Sequence, residues 1–201
     1  LHTGHFSIPE NISKIIGGAF ANCTYLTSVT IPNSVTCIGS SAFKNCISLS
    51  SINIPNSVKI IEDDAFSNCY SINTLYFDCT LDPHFYTNYL RELYIGDNTS
   101  IVYGFFSNQN LSKIVLGKNV TQIRAQAFYN SQIEEFTITG EEPPYLYSNV
   151  FGSQDLSKAT LYVPESKAGY YQATEPWSKF GKILTLSGDT PEGPKKCATP
   201  S

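Results

Sequence analysis

Apolar residues return along this chain as a set, with a period of 23 residues over the first three repeats. Each set is a triplet spaced i, i+3, i+5. The series runs Leu26/Val29/Ile31, Leu49/Ile52/Ile54, Ile72/Leu75/Phe77, Leu90/Leu93/Ile95, Leu111/Ile114/Leu116, Ile133/Phe136/Ile138 and Leu156/Ala159/Leu161. Phe6 and Ile8 open a partial unit ahead of it. Between last members the steps are 23, 23, 23, 18, 21, 22 and 23 residues, so the fourth unit is the irregular one. A fixed period of this length is the signature of a solenoid, in which each unit buries its apolar face only against its neighbours.

Within a unit the period shortens to two. Val29-Thr30-Ile31 predicts a short strand with Thr30 outward, ended by Pro32, which has no N–H for a ladder. A second apolar pair follows: Ile12/Ile15, Val35/Ile38, Val58/Ile61 and Val120/Ile123. Gly17 and Gly39 then suit a corner, and an Ala-Phe pair (Ala19-Phe20, Ala42-Phe43, Ala65-Phe66) sits on one helical or 3₁₀ turn. One unit offers about eight inward side chains at about 1.5–3 kcal/mol each on full burial. Ordering its backbone at about 1–2 kcal/mol per residue costs as much or more, so only stacked units are stable.

Asn22-Cys23, Asn45-Cys46 and Asn68-Cys69 complete the pattern. The run Cys-x-x-Leu-x-x-[Ile/Val]-x-Ile-Pro, with Ser-Val-x-x-Ile-Gly and Ala-Phe, resembles the BspA-like leucine-rich repeat over residues 1 to about 161. The resemblance implies an α/β-type repeat solenoid: β-rich, right-handed, with a short parallel strand per repeat and little helix. It also implies a cell-surface protein of a host-associated bacterium or a protist, in adhesion or ligand capture. The segment from Leu161-Tyr162-Val163-Pro164 through Tyr170-Tyr171, Trp177 and Phe180 is similar to the one that closes many such arrays. The expected organisation is an array over 1–162, irregular at 78–94, then a cap over 163–186 and a linker over 187–201 leading to a further domain. In the cap, a short helix over Glu165–Ala173 is expected, with Tyr170, Trp177, Phe180 and Ile183 facing the array.

With 13 Lys and Arg, scattered, and a net charge of −4, nothing points to nucleic acid. No apolar stretch approaches the roughly 20 residues of a spanning helix. Cys23, Cys46 and Cys69 share one column, which reads on as Asn108 and Asn130, and are expected to be buried thiols rather than disulfides. Cys37, Cys79 and Cys197 fall in no common column.

Catalytic constellations are poor. His2 and His5 lack a helix to align them for a metal, and His84 reads as a surface residue. Glu62-Asp63-Asp64 lacks calcium-loop spacing. No nucleophile elbow or phosphate loop occurs, so no enzyme, cofactor or metal site is expected. Of the sequons at Asn11, Asn22, Asn98, Asn110 and Asn119, Asn22 is placed in the inward ladder and is not expected to be glycosylated.

The outward column between the last two triplet members reads Thr30, Asn53, Tyr76, Tyr94, Val115, Thr137, Thr160. Only its middle turns from small hydroxyls to aromatics, next to Arg91 and Glu92 and to the irregular segment holding Phe85, Tyr86 and Tyr89. Tyr and Arg are enriched where proteins bind partners, and stacked tyrosines also suit sugars. Tyrosine also packs well in strands, and the irregular unit needs bulk. The candidate ligand-binding residues are therefore Tyr76, Arg91, Glu92, Tyr94, Phe85, Tyr86 and Tyr89. The expected function is a monomeric, non-enzymatic cell-surface recognition or adhesion module that binds a host or surface macromolecule through its strand-ladder face. A glycan-capture module and a passive spacer are the alternatives.

Overall fold

A computed structural model describes residues 4–79, 89–106 and 110–186. Its strands, in chain order, are β1 (Gly4–Ser7), β2 (Lys14–Ile15), β3 (Leu26–Thr30), β4 (Cys37–Ile38), β5 (Ser51–Ile54), β6 (Ile60–Ile61), β7 (Thr74–Phe77) and β8 (Glu92–Ile95). They continue as β9 (Ile101–Val102), β10 (Lys113–Leu116), β11 (Gln122–Ile123), β12 (Glu135–Ile138), β13 (Tyr145–Leu146), β14 (Thr160–Val163) and β15 (Lys182–Thr185). One α-helix, α1 (Ala168–Ala173), and three short 3₁₀ turns complete the described elements. The molecule is a parallel β-solenoid of about eight turns with very little helix.

The main ladder runs β5-β7-β8-β10-β12-β14-β15, every pair parallel. β1 and β3 pair in the same sense, and Ser50 N donates to Thr27 O at 3.1 Å to join them to it. A second strand per turn, only two residues long, builds two flanking ladders, β2-β4-β6 and β9-β11-β13. It uses the apolar pair of the sequence: Val35, Ile38, Val58, Ile61, Val120 and Ile123 are all buried. In the irregular unit the pair becomes Thr99 and Val102, both buried, with Thr99 Oγ1 donating to Cys79 O at 2.9 Å. The hydroxyl is tolerated in the core because that carbonyl accepts it.

Phenylalanines fill the interior. Phe20, Phe43 and Phe66 stack offset with centroids 5.0 and 5.3 Å apart and planes within 2°. Each is held by a pair of hydrogen-bonded turns whose backbone is left-handed at two positions. Two residues before Phe20, Phe43, Phe66, Phe128 and Phe151 stand Gly18, Ser41, Asp64, Gln126 and Asn149, and all five have positive φ. Two residues after the first four stand Asn22, Asn45, Asn68 and Asn130, at φ 57–62. Asparagine accepts that conformation better than most residues. Here it also makes a ladder: Asn45 Nδ2 donates to Asn22 Oδ1 and Asn68 Nδ2 to Asn45 Oδ1, each at 2.8 Å. Asn22 is exposed, so the expectation that it lies inward is corrected: the inward residue is the cysteine that follows.

The cysteine column changes membership too. Cys46 Sγ donates to Phe20 O at 3.1 Å and Cys69 Sγ to Phe43 O at 3.0 Å. The residue that repeats their backbone contact is not Asn130 but buried Ser131, whose N–H bonds Phe128 O as that of Cys46 bonds Phe43 O. The chain loses one residue between Ser131 and Ile133, which shifts the sequence spacing but not the fold. All five cysteines among the described residues are free; Cys23 is only half-buried, while Cys37, Cys46, Cys69 and Cys79 are buried. Burial raises the Cys23 and Cys37 thiols above their ordinary value, and contact with the Cys69 sulfur together with burial does the same at Cys46. Asn108 and Cys197 lie outside the described residues.

At the far end, a 3₁₀ turn at Glu165–Lys167 precedes α1, and Lys182–Thr185 adds a last rung to the main ladder. Tyr171, not Tyr170, packs inward: Tyr171 is fully buried and Tyr170 is 46% exposed. Trp177 and Phe180 are buried beside Phe136 and Phe151, and Ile183 is half-buried against the core.

Candidate functional site

The outward face of the main ladder carries two columns. One reads Ser51, Thr74, Glu92, Lys113, Glu135, Thr160, Lys182 and the other Asn53, Tyr76, Tyr94, Val115, Thr137, Tyr162, Leu184. Thr160 thus belongs to the first column and Tyr162 to the second, since Thr137 pairs with Tyr162 and not with Thr160. Against the regular turn, one extra residue lies between β12 and β13, around Pro143-Pro144, and a second between Phe151 and β14; the apolar spacing reveals neither.

Tyr76, Glu92 and Tyr94 do come together on this face. The two rings stack at 4.7 Å and 18°, and Tyr94 Oη donates to Glu92 Oε2 at 3.0 Å. Lys113 Nζ stands 6.0 Å from the Tyr94 ring and pairs with Glu135 Oε2 at 3.8 Å. Neighbours cover much of the stack: Tyr94 is 9% exposed and Tyr76 half-buried. Burial, then the Glu92 carboxylate, raises both phenols, Tyr76 to about 12, so both stay neutral donors.

Tyr89 and Arg91 lie on the entry side of β8, where the chain approaches the ladder. There they border an open groove of about 500 Å³ with Tyr70, Asn73, Asn110 and Ser50. Tyr70 and Tyr89 are 53% and 50% exposed and meet edge to face at 5.7 Å. Tyr70 Oη donates to Asn68 Oδ1 at 2.8 Å, which fastens its ring to the end of the asparagine ladder. The Arg91 side chain is exposed and has no ion-pair partner among the described residues; its carbonyl accepts from Ser112 N and Lys113 N. Sequence reasoning missed Tyr70, which occupies a turn position with no counterpart aromatic in the next units. Phe85 and Tyr86 lie outside the described residues, as do His2 and His84.

Other candidate chemistry is engaged structurally. His5 bonds the hydroxyls of Ser28 (2.8 Å), Ser7 (3.0 Å) and Thr30 (3.3 Å). Glu62 accepts from Ser40 N and Lys14 Nζ, and Asp64 from Ser67 Oγ. Among the described residues no group of three His, Cys, Asp or Glu side chains could hold a metal ion, and no helix is long and apolar enough to cross a membrane.

A parallel solenoid of short, repeated turns is the build of a leucine-rich-repeat protein. The family model described as BspA type leucine rich repeat region, with six copies, matches residues 2–84 and 82–171. The chain belongs to this family. Among solved structures, it is similar to a leucine-rich repeat protein from Bacteroides ovatus, with 16% identity and a TM-score of 0.49, over 90% of this chain and 54% of that one. It is also similar to a leucine rich cell surface protein from Faecalibacterium prausnitzii, with 18% identity and a TM-score of 0.37, over 92% of this chain and 60% of that one. The chain thus spans little more than half the length of either. Among curated proteins none matches it. Proteins of this repeat family are generally non-enzymatic binding modules.

Proposed function

We propose that this chain is a non-enzymatic recognition module of an extracellular or cell-surface protein, and that it engages a partner macromolecule at mid-array. The contact surface is the groove bordered by Tyr70, Tyr89 and Arg91 and the adjoining ladder residues Tyr76, Glu92 and Tyr94. One observation carries the reading: at this place exposed aromatic rings and a guanidinium with no ion-pair partner among the described residues border an open groove on the ladder. Such side chains supply contact area at little entropic cost when the backbone beneath them is fixed. The family supports a binding or adhesion role.

The test is surface binding of the chain to immobilised extracellular-matrix proteins and to a glycan array, wild type beside Tyr89→Ala/Arg91→Ala. Both side chains are exposed, so the variant should keep its melting temperature. Binding that the variant loses supports the reading. Binding that it retains in full places recognition elsewhere.

A further inference from the structure

We propose that the groove beside Arg91 is a subsite for a carboxylate-bearing saccharide unit, a sialic or hexuronic acid. This rests on the recognition reading above and names its ligand class. The lining has three kinds of group, each of which meets a different part of such a sugar. Arg91 is the single charged residue of its described lining, and a guanidinium presents a planar fork of donors that fits a carboxylate in two parallel hydrogen bonds. Among the described residues no carboxylate is paired to it. Tyr70 and Tyr89, each half exposed and set edge to face at 5.7 Å, offer a ring face for the C–H side of a pyranose beside a second ring edge.

The remaining lining is hydroxyl and amide, from Ser50, Asn73 and Asn110 among others. These groups both donate and accept, as sugar hydroxyls require. The groove is open and largely polar, unlike the enclosed apolar pockets that hold other small ligands. A nucleic acid would need several basic groups where the described lining has one. The net charge of −4 disfavours a long polyanion and leaves a single acidic unit as the fit.

Titration calorimetry with two matched pairs tests this: sialyllactose against lactose, and a glucuronic-acid disaccharide against its glucose counterpart. In at least one pair the acid should bind about ten- to hundredfold more tightly, the range a charged hydrogen-bonded contact supplies. Arg91→Gln should abolish the preference with an unchanged melting temperature, Arg91→Lys should keep part of it, and Tyr89→Ala should weaken acid and neutral sugars alike. Which pair responds identifies the acid. Equal binding of acid and neutral partners in both pairs overturns the proposal, as does an Arg91→Gln chain that still discriminates. If no sugar binds but Arg91→Ala abolishes capture of a matrix protein, the saccharide subsite falls and the recognition reading stands. If the groove variants alter no binding at all, both fall.

Discussion

Asn45 sits in the middle of the asparagine ladder, and its replacements separate two causes of stability that usually travel together. Its side chain donates to Asn22 and accepts from Asn68, both at 2.8 Å, while its backbone is left-handed at φ 62. Asn45→Ala removes two hydrogen bonds, about 0.5–1.5 kcal/mol each, and puts an ordinary side chain where the left-handed backbone costs about 1–2 kcal/mol. The sum is about 2–5 kcal/mol, less whatever asparagine itself bears at that φ, so about 2–4 kcal/mol. Asn45→Gly removes the same hydrogen bonds but no longer strains the backbone, at the cost of a more flexible unfolded chain. It should therefore be milder than alanine by about 1 kcal/mol, although alanine is the better residue almost anywhere else. For a chain of this size that gap is about 2–4 °C in Tm. Urea unfolding followed by circular dichroism gives the same comparison at constant temperature. An alanine variant as stable as the glycine variant, or more so, would refute the backbone argument. Two wild-type-like variants would show that the ladder adds nothing.

Other consequences are as direct. Trp177→Ala, at a side chain 1% exposed between Phe136, Phe151 and Tyr171, should cost about 3–5 kcal/mol in urea unfolding; a loss under 1 kcal/mol contradicts the packing. Gly39→Ala should destabilise by about 1–3 kcal/mol, because the new methyl would meet the backbone at Gly17 N (2.6 Å) and Ile15 O (2.9 Å), neither of which can give way; an unchanged Tm rejects this. Hydrogen bonds from Ser40 N and then Lys14 hold the Glu62 carboxyl below its usual range. Its stabilisation should be full above the unfolded carboxyl pKa and fade as pH falls through the lower folded value, so wild type and Glu62→Gln should converge in acid. A gap that persists there excludes titration as its source. In alkylation mapped by mass spectrometry, Cys46 and Cys69 should label only after denaturation; labelling of the native chain at the same rate would refute their burial.

The array was legible because its signals are local and repeated. Val29-Thr30-Ile31 names a strand, Pro32 ends it, and the 23-residue return sets which strands are neighbours. Where a repeat changes length, the same reasoning slipped. Ser131 took the place of the cysteine because one residue is missing before Ile133, and counting back from the apolar position landed on Asn130 instead. Tyr162 took the place of Thr160 because one residue is added around Pro143-Pro144 and another after Phe151, and neither carries an apolar mark. Spacing also says little about which way an outward ring leans. Tyr76 and Tyr94 stack on each other and Tyr94 donates to Glu92, while Tyr70, from a turn, borders the open groove with Tyr89 and Arg91. The left-handed column at Gly18, Ser41, Asp64, Gln126 and Asn149 was invisible because five residue types share it, and the backbone is held there by the turns on either side.

The direction of the main ladder decides how such a chain answers to tension. Its hydrogen bonds run along the stack, from each rung to the next, so a load applied along that axis pulls them apart one rung at a time rather than shearing many together. Each turn that peels away frees about 23 residues, or about 80 Å of extended chain, in exchange for one strand spacing of about 4.8 Å. A module of this build between an anchor and a bound partner lengthens in steps, and each step leaves the remaining turns folded with their contacts intact.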